Sequence, residues 1–405
     1  MENTKHSIQE YNKTRYPILF FVMIGVLASG IGYSWSIIQP YVMEYFSIDS
    51  ATASWAYSLN FGIFVVGSII GGKLQQKYTP RTVVYIGVAV IVAGLFLTAL
   101  IPPTSFWLMI VTFSVMTGIG GGITYNTRIA VMQRWFPEKK GFATGAVLCA
   151  LGLSGFVMSP ICSYFLGNYG FKINFLVCGC MSAVLGVISA FFTKNPPKEF
   201  IEEFVIVRTA SGQEKKQYTT GEMLRTKEYY IIAASMLFAV PAYMLINPIF
   251  GLLGLERGVA QSQIMATVMI ASVLHAMGRL VAPMVSDKLG RKKTLIILYI
   301  ANIAAVLGMI VARGGLYLVL FPVIAFIYGG FMGTYPVVST DYFGTKHSGI
   351  NYAVVMIGFG LACVLCPFLS KAVQATGIGT ALSFAIAAGA CIIGIILVLI
   401  LKKND

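Results

Sequence analysis

The sequence has few charged residues. Asp, Glu, Lys and Arg make up 11% of its 405 residues, whereas soluble globular domains carry about 25%. Acidic residues are the scarcer kind, 15 against 29 Lys and Arg. Hydrophobic residues make up 57% of the chain, and the mean hydropathy is +0.79. This composition excludes a soluble globular domain and predicts an integral membrane protein.

Several signatures of chemistry are also missing. The sequence contains no Walker loop, no nucleophile elbow and no HExxH motif. The motifs that ATP-driven transport and intramembrane hydrolysis use are therefore missing. Seven cysteines form no disulfide framework, and the CxxC of Cys363 and Cys366 comes without a βαβ pattern or a histidine cluster. We therefore expect no enzyme activity, no metal and no cofactor.

Long apolar runs take the place of these motifs. A helix needs about 20 apolar residues to cross a bilayer. By this measure the sequence contains twelve spans, numbered in chain order: 17–39, 53–72, 82–101, 106–132, 141–166, 173–193, 229–253, 263–285, 294–312, 315–339, 348–370 and 378–401. The 42 glycines, 27 Phe and 21 Tyr are typical of closely packed membrane helices with aromatic belts. We predict an all-α integral membrane protein.

One long polar stretch, 194–228, interrupts the spans and leaves six on each side. We predict a six-helix bundle over 1–193, a central cytoplasmic loop over 194–228 and a second six-helix bundle over 229–405. The segment GSIIGGKLQQKYTPRTV, starting at Gly67, aligns with GRLVAPMVSDKLGRKKT, starting at Gly278. Weak similarity at the same place in each half is typical of transporters built from two pseudo-symmetric bundles.

The basic residues are unevenly distributed. Nearly all lie on the termini, in the central loop or in the other connections on the same side, and the exceptions are Lys172, Arg257, Arg313 and Lys371 on the opposite side and Arg128 and Arg279 within spans. By the positive-inside rule, both termini and the central loop are cytoplasmic. The formal charge of +14 then records topology, and we expect no nucleic-acid partner. We expect a multi-pass protein of the bacterial inner membrane.

The loop SDKLGRKKT after span eight, with its weaker partner KLQQKYTPR after span two, resembles the basic loop signature of the major facilitator superfamily. The resemblance implies two six-helix bundles that alternate in access. It also implies a conformational latch that stabilises the outward-open state. Its residues here are Asp287, Lys288 and Arg291 in the second copy and Lys77 and Arg81 in the first, which has Gln75 and Gln76 and no acid.

A narrower resemblance is to the oxalate/formate antiporter family, relatives of the monocarboxylate transporters. The matching pieces are SGIGYSWSIIQPYV, GIGGGITYNT, RWFPEKKGFATG, TGEMLRT, GRLVAPMVSDKLGR, STDYFGT and NYAV. In its oxalate transporters an arginine of span eight and a lysine of span eleven hold a dicarboxylate. The arginine position falls on Arg279 and the lysine position on Phe359. Aromatic positions of that site carry over as Tyr33, Tyr125 and Tyr328, and a further one holds Met332.

Arg279 is the residue that most strongly predicts a function. It lies mid-span, where a guanidinium costs roughly 2.5–3.5 kcal/mol or more, and no Asp or Glu lies mid-span with it. An anionic substrate supplies the missing charge, and the planar guanidinium donates two parallel hydrogen bonds to a carboxylate. With Phe359 in place of a second cation, electroneutrality favours a monocarboxylate such as lactate, pyruvate or formate. The alternative is that backbone carbonyls and tyrosine hydroxyls satisfy Arg279.

Two further ionisable residues lie within spans. His275 precedes Arg279 by four residues, so both project from one helix face, and His275 is a candidate proton carrier or a hydrogen-bonding wall residue. A cation beside Arg279 is repelled, which favours a neutral His275 until substrate binds. For Arg128, interfacial snorkelling is favoured over substrate contact.

The sequence therefore predicts a secondary transporter of small carboxylates that works by alternating access. We expect a monomer whose partners are a small organic anion and the lipid bilayer. Uniport, exchange and proton symport all stay open. The alternatives are an exporter of amphipathic compounds, an oxalate/formate-type exchanger, and a transporter-like sensor, for which a loop of about 35 residues is short.

Overall fold

The computed structural model describes residues 2–197, 199–200, 216–247, 250–375 and 380–401. Throughout these ranges the regular structure is helical, and none of these residues lies in a β-strand. The all-α prediction is confirmed.

The first six spans have the following helices in chain order: Glu2–Ser29, Ile31–Ser34, Trp35–Phe46, Ser50–Leu74, Pro80–Ala99, Phe106–Met109, Ile110–Thr117, Gly118–Trp135 and Lys140–Phe192. Ile31–Ser34 is a 3₁₀ turn and Ile110–Thr117 is a π-helix. The short helix Thr220–Met223 follows in the central stretch. The last six spans have the helices Lys227–Ala239, Pro241–Ile246, Phe250–Glu256, Gln261–Leu289, Arg291–Val311, Gly314–Phe343, Ser348–Val355, Ile357–Ala375 and Thr380–Ile400.

Within the described ranges, 10 helical stretches are long and apolar enough to cross a membrane. One of them, Lys140–Phe192, has 53 residues and contains Gly170 at φ 78° and ψ −175°. A positive φ of this kind suits glycine because it has no Cβ, and here it reverses the chain between spans five and six. The broken first span, from Glu2 to Phe46, completes a set of twelve that agrees with the predicted spans.

Span one is not a continuous helix, which the apolar run alone did not predict. Its first helix ends at Ser29, and Gly30 leads into the 3₁₀ turn. A Cβ built on Gly30 would lie 1.8 Å from Ser154 Oγ, so a glycine is needed where span five approaches. The break places residues 29–33 on the wall of the central cavity.

The two bundles pack against each other through small residues. Span five faces span eight, where a Cβ on Gly145 or Gly152 would lie 2.9 Å or less from backbone or side-chain atoms of residues 276–280. Span two likewise meets span eleven, where a Cβ on Gly72 would lie 2.6 Å from Ile350 Cα. The contacts of Gly72 and Gly145 lie toward one end of the molecule, formed by the connections 75–79, 136–139, 290 and 344–347, and the contact of Gly152 lies level with the cavity. We call this end of the molecule the basic end.

The boundaries of the two bundles at residues 193 and 229 stay a prediction. Much of the central stretch, including 201–215, lies outside the described residues. Its described end carries the helix Thr220–Met223, which begins with a capping box: Thr219 Oγ1 accepts from the Glu222 amide, and the Glu222 carboxylate accepts from the Thr219 amide. Asn351 Nδ2 donates to Tyr218 O at 3.0 Å, so this segment is attached to span eleven.

We predict that Gly278→Ala destabilises the protein, because a Cβ there would lie 1.9 Å from Phe326 O on span ten. Overpacking against backbone costs about 1–3 kcal/mol. Gly389→Ala is the matched control, since nothing lies within 4 Å of its Cβ position. Thermal unfolding in detergent should show a lower midpoint for Gly278→Ala than for Gly389→Ala; equal midpoints would contradict the close packing of spans eight and ten.

Candidate functional site

Arg279 lies inside the protein on span eight and is 4% exposed. Its Nη2 donates to Tyr33 Oη at 3.0 Å, its Nη1 to the Leu148 carbonyl at 3.4 Å and its Nε to His275 Nε2 at 3.2 Å. Tyr33 belongs to span one and Leu148 to span five. One side chain of the second bundle therefore contacts two helices of the first.

These partners are all neutral groups. None of the ion pairs between described residues includes Arg279. Its hydrogen bonds satisfy the geometry of the guanidinium but leave the positive charge without a counter-charge. Of the two alternatives from the sequence, the contacts with a tyrosine and a carbonyl are therefore observed, and the anion site stays a prediction. A carboxylate that replaced Tyr33 and Leu148 would supply the charge that they cannot.

His275 accepts the Arg279 Nε hydrogen bond through Nε2, which requires that nitrogen to be unprotonated. It is 6% exposed, and its ring lies 5.6 Å from the ring of Tyr243 and 5.1 Å from that of Tyr328. Those two tyrosine rings stack at 4.5 Å. Protonating Nε2 would break the bond to Arg279 and place two cations side by side.

The predicted binding residues surround one central cavity. Tyr33, Tyr125, Tyr328, Phe359 and Arg279 all line it, and they come from spans one, four, ten, eleven and eight. His275 lies behind Arg279. Tyr125 Oη and Tyr352 Oη are 3.4 Å apart, so the cavity floor joins the two bundles. The structure therefore brings together all six predicted residues, and their role in binding stays a prediction.

The cavity is small. Its volume is about 60 Å³, measured for the centres of water-sized spheres, and one water needs about 10–15 Å³ on this measure. It therefore accommodates a few waters or a solute of a few heavy atoms.

Sequence reasoning missed several polar residues of the wall, among them Tyr352, Thr117 and Ser29. Asn60 also lines the cavity, and its Nδ2 donates to Thr117 Oγ1 at 2.8 Å. Tyr352 lies in the quoted NYAV piece, which was a signal that could have identified it. Ser29 carried no signal, because serine is common in membrane helices.

The expectation that Arg128 snorkels to the interface is wrong. Arg128 is 0% exposed, enclosed by spans one, four and six. Its Nη1 donates to Ser29 Oγ at 3.3 Å, and its Nε and Nη2 are buried without a hydrogen-bond partner. The position of Arg128 near the end of its helix suggested that its side chain reaches the membrane interface. Its side chain instead points into the bundle, and the linear sequence does not show which face of the helix is buried.

A cluster of charges lies at the basic end. Arg291 pairs with Asp287 at 2.6 Å and with Asp341 at 2.7 Å, and Asp341 also pairs with Lys140 at 3.2 Å. Lys140 begins span five, whereas Asp341 lies in the last turn of span ten. The basic-end ion cluster, defined by these four residues, therefore links the two bundles.

The other predicted latch residues lie apart from this cluster. Lys288 and Lys77 are exposed, and neither belongs to an ion pair between described residues. The Arg81 guanidinium lies 4.6 Å from the ring centre of Phe191. The latch role of all five predicted residues stays a prediction. Lys140 and Asp341 were not among the predicted latch residues, because the acid that pairs with Lys140 lies on span ten and not in the basic loop.

Twelve spans in two bundles, a cavity at their interface and a charge link at one end define a secondary carrier. The sequence profile of the Major Facilitator Superfamily matches residues 20–367 and 232–405, and the chain belongs to this superfamily. It is a membrane transporter and not an enzyme. The predicted twelve-helix fold is confirmed.

The chain is similar to several known proteins. It is 26% identical over 374 residues to the oxalate:formate antiporter of Oxalobacter formigenes, covering 92% of this chain and 87% of that protein. It is 24% identical over 367 residues to the MFS-type transporter YhjX of Escherichia coli strain K12, covering 87% of each. Monocarboxylate transporter 13 of Rattus norvegicus is 28% identical over 137 residues, 34% of this chain and 32% of that protein.

Among solved structures, the major facilitator transporter FucP in its outward conformation superimposes with a TM-score of 0.67 at 13% identity. The match covers 96% of this chain and 99% of that one. At this identity the likeness shows the fold alone. The family resemblance read from the sequence motifs is confirmed by these matches.

We predict that Asp341→Asn loosens the basic end, because Lys140 and Arg291 lose a charged partner that links the bundles. A hydrogen bond to a charged group is worth about 1.5–3 kcal/mol, so backbone amides near Lys140 should exchange with solvent roughly ten- to a hundredfold faster. Lys216→Ala is the control, since its pair with Glu222 is solvent-exposed and worth little. Unchanged exchange in Asp341→Asn would show that the cluster does not hold this end closed.

Proposed function

We propose that this transporter carries small carboxylates and that Arg279 binds the carboxylate group. The observation that carries the proposal is a buried guanidinium at the cavity wall whose described partners are all neutral. Such a charge is costly in a membrane protein unless an anion or water reaches it. The names of two groups of relatives, an oxalate:formate antiporter and monocarboxylate transporters, agree with this substrate class.

Within this class we propose monocarboxylates, such as lactate, pyruvate or formate, as the preferred substrates. Arg279 is the cation that lines the cavity, while Phe359 supplies an apolar wall on span eleven. A substrate with one carboxylate and a short apolar remainder matches both surfaces. The cavity volume of about 60 Å³ supports a solute of a few heavy atoms and disfavours bulky amphipathic compounds.

The contacts of Arg279 provide a way to couple binding to movement. Nη1 and Nη2 now bond Leu148 and Tyr33 of the first bundle, and a carboxylate would accept from the same two nitrogens. Binding would exchange direct contacts between the bundles for contacts through the substrate and would neutralise Arg279. We propose that this exchange lowers the energy of the occluded state from which the bundles rock.

The side that faces the cytoplasm follows from the charges. Most of the Lys and Arg residues lie on the termini, in the central stretch 194–228 and in or beside the connections of the basic end. By the positive-inside rule we place this end in the cytoplasm. The bacterial relatives support an inner-membrane location. The close contacts and ion pairs between bundles, as far as the described residues show, run from mid-membrane to this end. We propose that the structure represents an outward-facing state.

We predict that Arg279→Gln abolishes uptake of labelled lactate, pyruvate and formate into proteoliposomes while the protein still reconstitutes. The amide keeps some hydrogen bonding but carries no charge to pair with a carboxylate. Arg313→Gln, at an exposed arginine on the opposite end, is the control and should transport normally. Normal uptake by Arg279→Gln would refute the substrate assignment.

We also predict that His275 couples uptake to protons. Without substrate, His275 Nε2 accepts a hydrogen bond from Arg279 Nε and the imidazole stays neutral. Once a carboxylate neutralises Arg279, His275 can take a proton. Among the described residues, the charged neighbour of His275 is Arg279, which is hydrogen-bonded to it. Its titratable neighbours from spans seven and ten are Tyr243 and Tyr328. Uptake should therefore rise as the outside pH falls between about 8 and 5.

The test of this coupling is His275→Gln, whose side-chain oxygen can still accept from Arg279 but cannot be protonated. We expect His275→Gln to lose stimulation by an inward proton gradient and to keep carboxylate exchange. His347→Gln, a change at a histidine of the basic end, should respond to the gradient like wild type. A gradient response that survives in His275→Gln would exclude His275 as the proton carrier.

A further inference from the structure

Arg128 is a second buried guanidinium inside the helix bundle, and the transport cycle described above does not use it. It is 0% exposed, so it reaches neither lipid headgroups nor bulk water. No ion pair between described residues includes it, and two of its nitrogens are buried without a hydrogen-bond partner. A fixed positive charge therefore lies within the first bundle without a counter-charge.

Arg128 is one side chain away from the cavity. Its Nη1 donates to Ser29 Oγ at 3.3 Å, and Ser29 Oγ donates to the Gly25 carbonyl at 2.8 Å. Ser29 itself lines the cavity. A ligand that touched Ser29 would lie about two contact distances from the Arg128 guanidinium.

Both buried arginines attach to the same short stretch of chain. Arg128 bonds Ser29, the last residue before the break in span one, and Arg279 bonds Tyr33, four residues further on. The residues between them form the cavity wall. The break in span one is therefore flanked by two positive charges that come from different bundles.

We propose that Arg128 is a positioning and specificity residue of the transport site, which acts through Ser29 as a second positive charge on the bound anion. The inference rests on the proposed carboxylate function and extends it to the charge of the substrate. In a low-dielectric interior the attraction grows in proportion to the charge of the ligand. Arg128 therefore strengthens binding of a monocarboxylate and, more strongly, lets a small dicarboxylate bind although Phe359 replaces a second cation in the wall.

The neighbours of Arg128 offer a way to remove its charge without removing the residue. A Cβ built on Gly25 would lie 2.3 Å from Ser189 Oγ and 2.9 Å from Arg128 Nη2, so the two groups are close across this glycine. Ser189 Oγ is also buried without a partner. Ser189→Asp would place a carboxylate beside Arg128 on the side of span six.

The experiment compares dissociation constants of lactate and oxalate, measured by ligand-induced thermal stabilisation of the purified full-length protein. At an effective dielectric constant near 20 and a separation of about 7 Å, removing one charge weakens a monoanion by roughly fiftyfold and a dianion by up to roughly the square of that factor. We expect these two losses in Arg128→Gln and in Ser189→Asp, the latter with a higher unfolding temperature. Arg128→Lys keeps the charge and should stay within about threefold of wild type for both anions.

Ser29→Ala removes the hydrogen bond between Arg128 and the cavity wall and keeps the charge. It should weaken lactate and oxalate by the same factor, because the charge that distinguishes the two anions is unchanged. Equal losses for lactate and oxalate in the two charge-neutralised variants would indicate a structural role and overturn the proposal. A wild-type protein that binds lactate but not oxalate would also overturn it.

The failure of the underlying function is distinguishable from the failure of this inference. If neither anion stabilises the wild-type protein, the proposed carboxylate function is wrong, and the proposed role of Arg128 is then wrong as well. If Arg128→Gln does not reach the membrane, Ser189→Asp and Arg128→Lys decide between the outcomes. Losses in Ser189→Asp that do not scale with ligand charge would refute the role of Arg128 and leave the carboxylate function standing.

Discussion

The rest of this structure depends on the contacts of one guanidinium, Arg279, which is enclosed among membrane helices and has no carboxylate partner among the described residues. Arg279 is satisfied in geometry by a tyrosine, a carbonyl and a histidine, yet its charge is not balanced. Because two of these partners belong to the other bundle, Arg279 also links the bundles. If Arg279 binds the substrate as we propose, binding would break these links and rearrange the bundles in one event.

The basic end is closed by glycine packing and ion pairs, whereas the contacts of Arg279 at the cavity are hydrogen bonds to neutral groups. Glycines on spans two, five and eight let backbones approach closely, and the basic-end ion cluster joins Lys140 and Asp341 across the interface. Close packing permits few intermediate arrangements, so the interface favours discrete states over gradual opening. The central cavity lies beside these contacts, so we expect a change in the contacts of Arg279 to alter the packing of the whole interface.

Much of the fold follows from the sequence, because bilayer thickness fixes helix length. The orientation predicted from the charge asymmetry stays a prediction. The i, i+4 spacing of His275 and Arg279 likewise placed both on one helix face, whereas the convergence of residues from spans one, four, ten and eleven came from the family resemblance. The break after Ser29 depends on contact with span five and was not predictable from span one. The position of Arg128 was misjudged and the pairing of Asp341 was missed, because their partners lie on other helices, which one linear pattern does not reveal.

The measurement that tests the central claim most directly is a structure of the protein determined with lactate bound. The account predicts that the lactate carboxylate accepts hydrogen bonds from Nη1 and Nη2 of Arg279, that Tyr33 and Leu148 no longer do so, and that the apolar end lies toward Phe359. Lactate bound elsewhere, with Arg279 still bonded to Tyr33 and Leu148, would contradict it.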